Sequence, residues 1–101
     1  MHPRDLADAW RLLLYRAQMS AHHRISREEL SVREHMSGIL RRLHEHRVLA
    51  FTELFDASRG VAVLVVTFLA LLELAREMLI DVTQSEGFAP IYVRIALAEA
   101  R

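Results

Sequence analysis

The chain has 101 residues, 52% of them hydrophobic, with 13 arginines balancing 13 acids and with neither lysine nor cysteine. That is one domain, with enough apolar material for a packed core and too much for a disordered tail. The charge balance argues against a general nucleic-acid or anionic-membrane binder, and the missing cysteine excludes a disulfide scaffold, a Cys-ligated zinc and a thiol nucleophile. The all-arginine basic set reads as coding bias rather than as an anion site. Met1 to Asp5 lacks an apolar signal region, and the longest apolar run, Val61 to Leu72, is too short for a span of ~20 residues. The missing cysteine is compatible with a reducing compartment.

From Arg4 to about Ser20, Leu6, Ala9, Trp10, Leu13, Leu14 and Ala17 recur at helical spacing, with Pro3 fitting the helix start and Asp5 and Asp8 the first turn. Residues 21–31 lose the period and form a connector, with a short extended piece at 22–26. This divides the chain into a leading helix and connector, 1–30, and a second unit, 31–101. Ser31-Val32-Arg33-Glu34 reads as a capping box. The helix behind it buries Val32, Met36, Ile39, Leu40 and Leu43 and ends near His46. Val48 to Phe51 is a short extended stretch. Thr52 caps a single turn, Glu53 to Phe55, and residues 56–60 break the chain. Ser58 or Gly60 starts the most apolar helix, Val61 to about Met78, whose β-branched valines are tolerated only if buried. Two alternating strands, 80–84 and 91–95, flank a polar, Gly- and Pro-containing loop. Helix, short strand, short helix, long helix, strand, strand is the order of a winged helix. The fold class is therefore mainly α with a small β wing, preceded by an amphipathic helix.

Six histidines raise a metal reading. His22 and His23 are adjacent and point apart. His44 and His46 diverge at i, i+2, and His35 lies too far from both. A metal-binding regulator using His22, His23, His44 and His46 would show metal-dependent melting; ordinary surface histidine is preferred. Glu28 and Glu29, beside Arg27 and Arg33, read as a helix-start charge cluster. Nucleophile elbow, phosphate loop and zinc-protease motifs are missing from the sequence. No enzyme and no cofactor are expected.

A winged helix invites comparison with DNA readers, in which the second helix of the helix-turn-helix pair enters the major groove with polar and basic side chains. Here that helix carries charge only at Glu73, Arg76 and Glu77, in its last two turns. Residues 1–59 hold 10 arginines against 8 acids; residues 60–101 hold 3 against 5. The wing half would repel phosphate. A DNA-binding regulator is the alternative reading, and its basic residues are missing. The helix is instead apolar nearly all round, so the side its own core leaves open needs a cover. Either the leading helix folds back over it or a protein partner docks there. An uncovered face would also let the chain form a homodimer.

The runs Ser31-Val32-Arg33-Glu34-His35-Met36, Phe51-Thr52-Glu53-Leu54-Phe55, Thr67-Phe68-Leu69-Ala70-Leu71-Leu72-Glu73-Leu74 and Leu79-Ile80-x-Val82-x-Gln84, followed by Phe88 and Ile91, resemble the C-terminal winged-helix domain of the ScpA family of bacterial kleisins, the segregation and condensation proteins A. Asp5-Leu6-x-x-Ala9-Trp10 is similar to the stretch preceding that domain. The resemblance implies a non-enzymatic subunit of the SMC–ScpA–ScpB complex, acting on the nucleoid in chromosome condensation and segregation. It implies that this domain binds the cap side of an SMC ATPase head, that ScpB sits on an upstream region, that the protein is cytoplasmic, and that the chain is a piece of a longer protein. Carried onto this sequence, the docking residues are Phe68 and Leu72, i, i+4 neighbours on one helix face, with Leu71, Gln84, Phe88 and Ile91 in support. Two departures fall at the wing. Arg76-Glu77-Met78 stands where the family more often has a basic residue and a glycine, and Ala89-Pro90-Ile91 where Gly-Asp-Ile is commoner.

Overall fold

A computed structural model describes residues 3–19 and 30–96. The expected connector piece at 22–26, with His22, His23, Glu28 and Glu29, lies outside the described residues.

Helix α1 runs Pro3–Gln18, α2 Val32–His46 and α3 Val61–Arg76; strands β1, β2 and β3 are Val48–Ala50, Ile80–Gln84 and Ile91–Ile95. Between β1 and α3 the chain makes two 3-10 turns, Phe51–Leu54 and Ala57–Arg59. The sheet is antiparallel in the order β1-β3-β2, pairing Leu49 with Val93 and Val93 with Val82. This is a winged-helix arrangement, mainly helical with a small sheet behind the helices.

Local chemistry sets the boundaries. Ser31 Oγ accepts the Glu34 N–H at 3.2 Å, the serine arm of the expected box. The α2 helix closes at Arg47, in the left-handed region at φ 67°, whose N–H donates to the Leu43 carbonyl at 2.8 Å. The first turn departs from expectation. It begins at Phe51, so β1 stops at Ala50, and Thr52 does not cap it: the Glu53 carboxylate reaches back to the Ala50 N–H at 2.8 Å. Asp56 holds the second turn by accepting the Ser58 N–H at 3.1 Å. Gly60 then starts α3 at φ 94°, a left-handed conformation that glycine adopts without a Cβ penalty.

The α3 helix ends at Arg76, two residues earlier than expected. Met78 sits at φ 63°, its N–H bonded to the Ala75 carbonyl at 3.0 Å, while the Leu79 N–H reaches the Leu74 carbonyl at 2.9 Å. These are the two bonds of a Schellman motif. Met78 therefore occupies a left-handed position that glycine fills with less strain.

The core lies where the helices meet the inner face of the sheet. Leu13 and Ala17 come from α1, Ile39 and Leu43 from α2, Leu64 and Leu74 from α3, and Ile80, Ile91 and Val93 from the sheet. Val32, Met36 and Leu40 complete the expected α2 stripe as partly buried neighbours. Each fully buried leucine contributes ~1.5–3 kcal/mol. That burial outweighs the poor helix propensity of the buried Val63 and Val66. Thr67, the one polar residue among the buried ones described, donates to the Val63 carbonyl at 2.8 Å and lies 3.4 Å from His35 Nδ1, so its hydroxyl is satisfied.

Candidate functional site

The α3 helix presents two flanks of similar composition and opposite fate. Val63, Leu64, Thr67, Ala70, Leu71 and Leu74 are buried against the rest of the domain. Val61, Val65, Leu69 and Leu72 are exposed, at spacings of four, four and three residues. That spacing puts them on one line along the helix. Sixteen residues of helix give a stripe of about 24 Å.

The border between the flanks is set by α1, which folds back as one of the two expected covers. It covers only one edge. The Trp10 ring lies over Phe68, with centroids 4.8 Å apart and planes tilted by 35°, and meets Phe55 edge-on at 5.7 Å. Phe68 is thereby half-buried beneath α1, while Leu72, one turn on, is 50% exposed.

The six expected docking residues therefore separate. Leu71 and Ile91 are only 5% and 6% exposed and belong to the core; as folded, neither offers surface to a partner. Phe68 is largely committed to Trp10. Leu72 lies on the open flank. Phe88 is 83% exposed at the wing turn, in a left-handed conformation at φ 69°. Gln84, at the end of β2, is half-buried; its amide donates to Asp5 Oδ2 at 2.8 Å and to the Ala89 carbonyl at 2.7 Å. Sequence reasoning left Val61, Val65 and Leu69 out of the site. Their i, i+4, i+8 spacing was readable, but in a helix apolar all round that signal does not say which line is outward.

The open flank ends in charge. Arg76 Nε donates to Glu73 Oε1 at 3.1 Å, and Glu77 adjoins the same carboxylate. The bond from Arg76, helped by one from Glu77, holds the Glu73 carboxyl below its ordinary range; sharing that bond with Glu73 pushes Glu77 up. The cation of this helix is thus neutralised on its own helix. For a helix in the groove-entering position, an outward face of valine and leucine with its arginine paired offers little to phosphate or base edges.

A cleft of about 640 Å³ opens between α2, the 3-10 turns and α3, with Arg41, Arg42, Glu53 and Asp56 among its walls. Two of its carboxylates are spent on backbone: Glu53 on Ala50 and Asp56 on Ser58. His44 and His46 are exposed at the end of α2. Among the described residues no group of three metal-ligating side chains converges, and no helix is long and apolar enough to cross a membrane.

The family model for segregation and condensation protein ScpA matches residues 4–96. The chain is 43% identical over 91 residues to a segregation and condensation protein A of Xylella fastidiosa strain 9a5c, covering 90% of this chain and 30% of that protein. It is 42% identical over 90 residues to the Coxiella burnetii protein of the same name, covering 89% of this chain and 34% of that one. A Listeria monocytogenes serotype 4a protein, again with that name, is 42% identical over 95 residues, covering 89% and 37%. The chain thus spans about a third of the length of these curated relatives.

Proposed function

Because the chain belongs to the segregation and condensation protein A family, we propose that it is the part of a kleisin-type subunit that grips an SMC ATPase head during chromosome condensation and segregation. It acts by binding and carries out no catalysis; the ATP belongs to the partner. The full-length protein works at the nucleoid in the cytoplasm and holds ScpB through a region upstream of this one.

The observation that carries this reading is the open flank of α3. Val61, Val65, Leu69 and Leu72 form a continuous apolar line on a helix that the domain's own core covers on the other side. Such a surface suits a protein groove that takes an apolar helix face. Buried leucine and valine anchors there would dominate affinity.

The test is calorimetric titration of an SMC ATPase head with the chain and with Leu72→Glu. The wild-type chain binds. The variant keeps the wild-type circular dichroism spectrum and loses affinity at least tenfold, about 1.4 kcal/mol, because a carboxylate is desolvated without a partner. A folded variant that binds as tightly as wild type removes the flank from the interface.

A further inference from the structure

The wing is fastened to the far end of the chain by one side chain. Asp5 lies in the first turns of α1, and its Oδ2 accepts two hydrogen bonds: from Gln84 Nε2 at 2.8 Å and from the Phe88 backbone N–H at 2.8 Å. The first partner is 79 residues away and the second 83. Gln84 also donates to the Ala89 carbonyl at 2.7 Å. One carboxylate oxygen therefore gathers the end of β2 and the backbone of the wing turn onto α1. Beside the clamp is a cleft of about 250 Å³, walled by Ala9, Phe51, Phe88, Pro90 and Ile91.

Phe88 gives this clamp its consequence. A phenylalanine at φ 69° that is 83% exposed is unfavourable twice over: the left-handed backbone is strained outside glycine, and the side chain hides little apolar area. Its N–H is fixed by Asp5, so the strained turn is stabilised from outside the wing. Charge-assisted bonds to a carboxylate are the stronger kind.

We propose that Asp5 is a positioning residue. It holds the wing turn in its left-handed form, with the Phe88 ring turned to solvent, and so makes α1 and the wing one unit that presents Phe88 as a second docking residue for the SMC head. The docking half rests on the function proposed above; the clamp itself does not. The leading helix is on this account part of the binding domain rather than a tether ahead of it.

Two readouts separate the halves. The clamp is read in the chain alone, by amide hydrogen exchange at Phe88. Asp5→Ala speeds exchange at that amide about tenfold, while the Val93 amide in the core strand keeps its protection. Asp5→Asn restores part of that protection, because both donors address a single oxygen that a carboxamide also supplies, without the carboxylate's charge. An unchanged Phe88 amide in Asp5→Ala, or loss of protection at Val93 as well, overturns the clamp.

The docking half is read by head affinity. Phe88→Gly keeps the left-handed turn and removes the ring. It and Asp5→Ala each weaken head binding several-fold, and the double variant is no weaker than the worse single one. If the two losses add, or if neither variant loses affinity while Leu72→Glu does, Asp5 does not act through Phe88 and the docking half is overturned with the α3 interface intact. If the wild-type chain does not bind the head at all, the docking half falls with the function, and amide exchange still decides the clamp.

Discussion

The inner and outer flanks of α3 are drawn from the same residue types, and only one of them is buried. Leu64 and Leu74 are fully enclosed, while Leu69 and Leu72 stand about half exposed. Intrinsic hydropathy does not separate these leucines. Topology does, because α1 and α2 reach one side of α3 and leave the other open. A stripe that the fold leaves uncovered points to a surface for another protein rather than to stability.

The sharpest way to break that comparison is to truncate one leucine on each side. Leu74→Ala should cost about 2–5 kcal/mol, through lost burial and a residual cavity. Leu72→Ala should cost about 1 kcal/mol or less, since half of that side chain already meets water. Urea denaturation followed by circular dichroism measures both. Equal losses would mean that the outer flank is packed in solution and that the two sides do not differ.

The next effect lies at the border. Trp10→Ala removes the ring that covers Phe68 and Phe55 and should cost about 3 kcal/mol, read by the same denaturation. Phe68→Arg should be costly for the same reason, whereas Leu72→Arg should leave stability within about 0.5 kcal/mol of wild type. The pair tests whether two residues one turn apart fall on opposite sides of the α1 edge.

Smaller changes probe the ends of α3. Met78→Gly should raise stability by about 1 kcal/mol, by relieving a left-handed non-glycine residue in the Schellman motif. Gly60→Ala should lower it by about the same amount. Space is not the reason, since nothing lies within 4 Å of a Cβ added there; the positive φ is. The smallest effect is electrostatic. Glu73 should titrate below Glu77, and Arg76→Gln should raise the Glu73 pKa, as followed by carboxyl NMR shifts. With its folded pKa lowered, Glu73 stabilises above its unfolded pKa and loses that contribution as pH falls. Glu77, raised, contributes in the opposite sense, at pH below its unfolded value.

These particulars show what a one-dimensional pattern carries. The α2 stripe, the Ser31 cap and the alternation in β3 were legible, because each depends on neighbours within a turn or a pleat; in β2 the alternation stops at Ile80, since Val82 is exposed beside Thr83. The order of elements was enough for the winged-helix class. The capping of the Phe51–Leu54 turn was misread at Thr52, because Glu53 offers a longer reach to the same kind of orphan N–H. The site was legible only in outline. Leu71 and Ile91 share runs with exposed residues, and their burial depends on where α1 and the sheet close, which spacing alone does not encode. The bonds from Gln84 and Phe88 to Asp5 join positions 79 and 83 residues apart, beyond the reach of any local pattern.

The central claim is that the open flank of α3 is a docking surface for an SMC head. The most direct measurement is size-exclusion chromatography with light scattering on the chain, alone and mixed with an SMC ATPase head from the same source. The account predicts a folded chain that co-elutes with the head at one-to-one mass, and a Val65→Glu, Leu69→Glu variant that is equally folded and elutes apart. Separate elution of a folded wild-type chain, or a homodimer whose mass the head leaves unchanged, would contradict it.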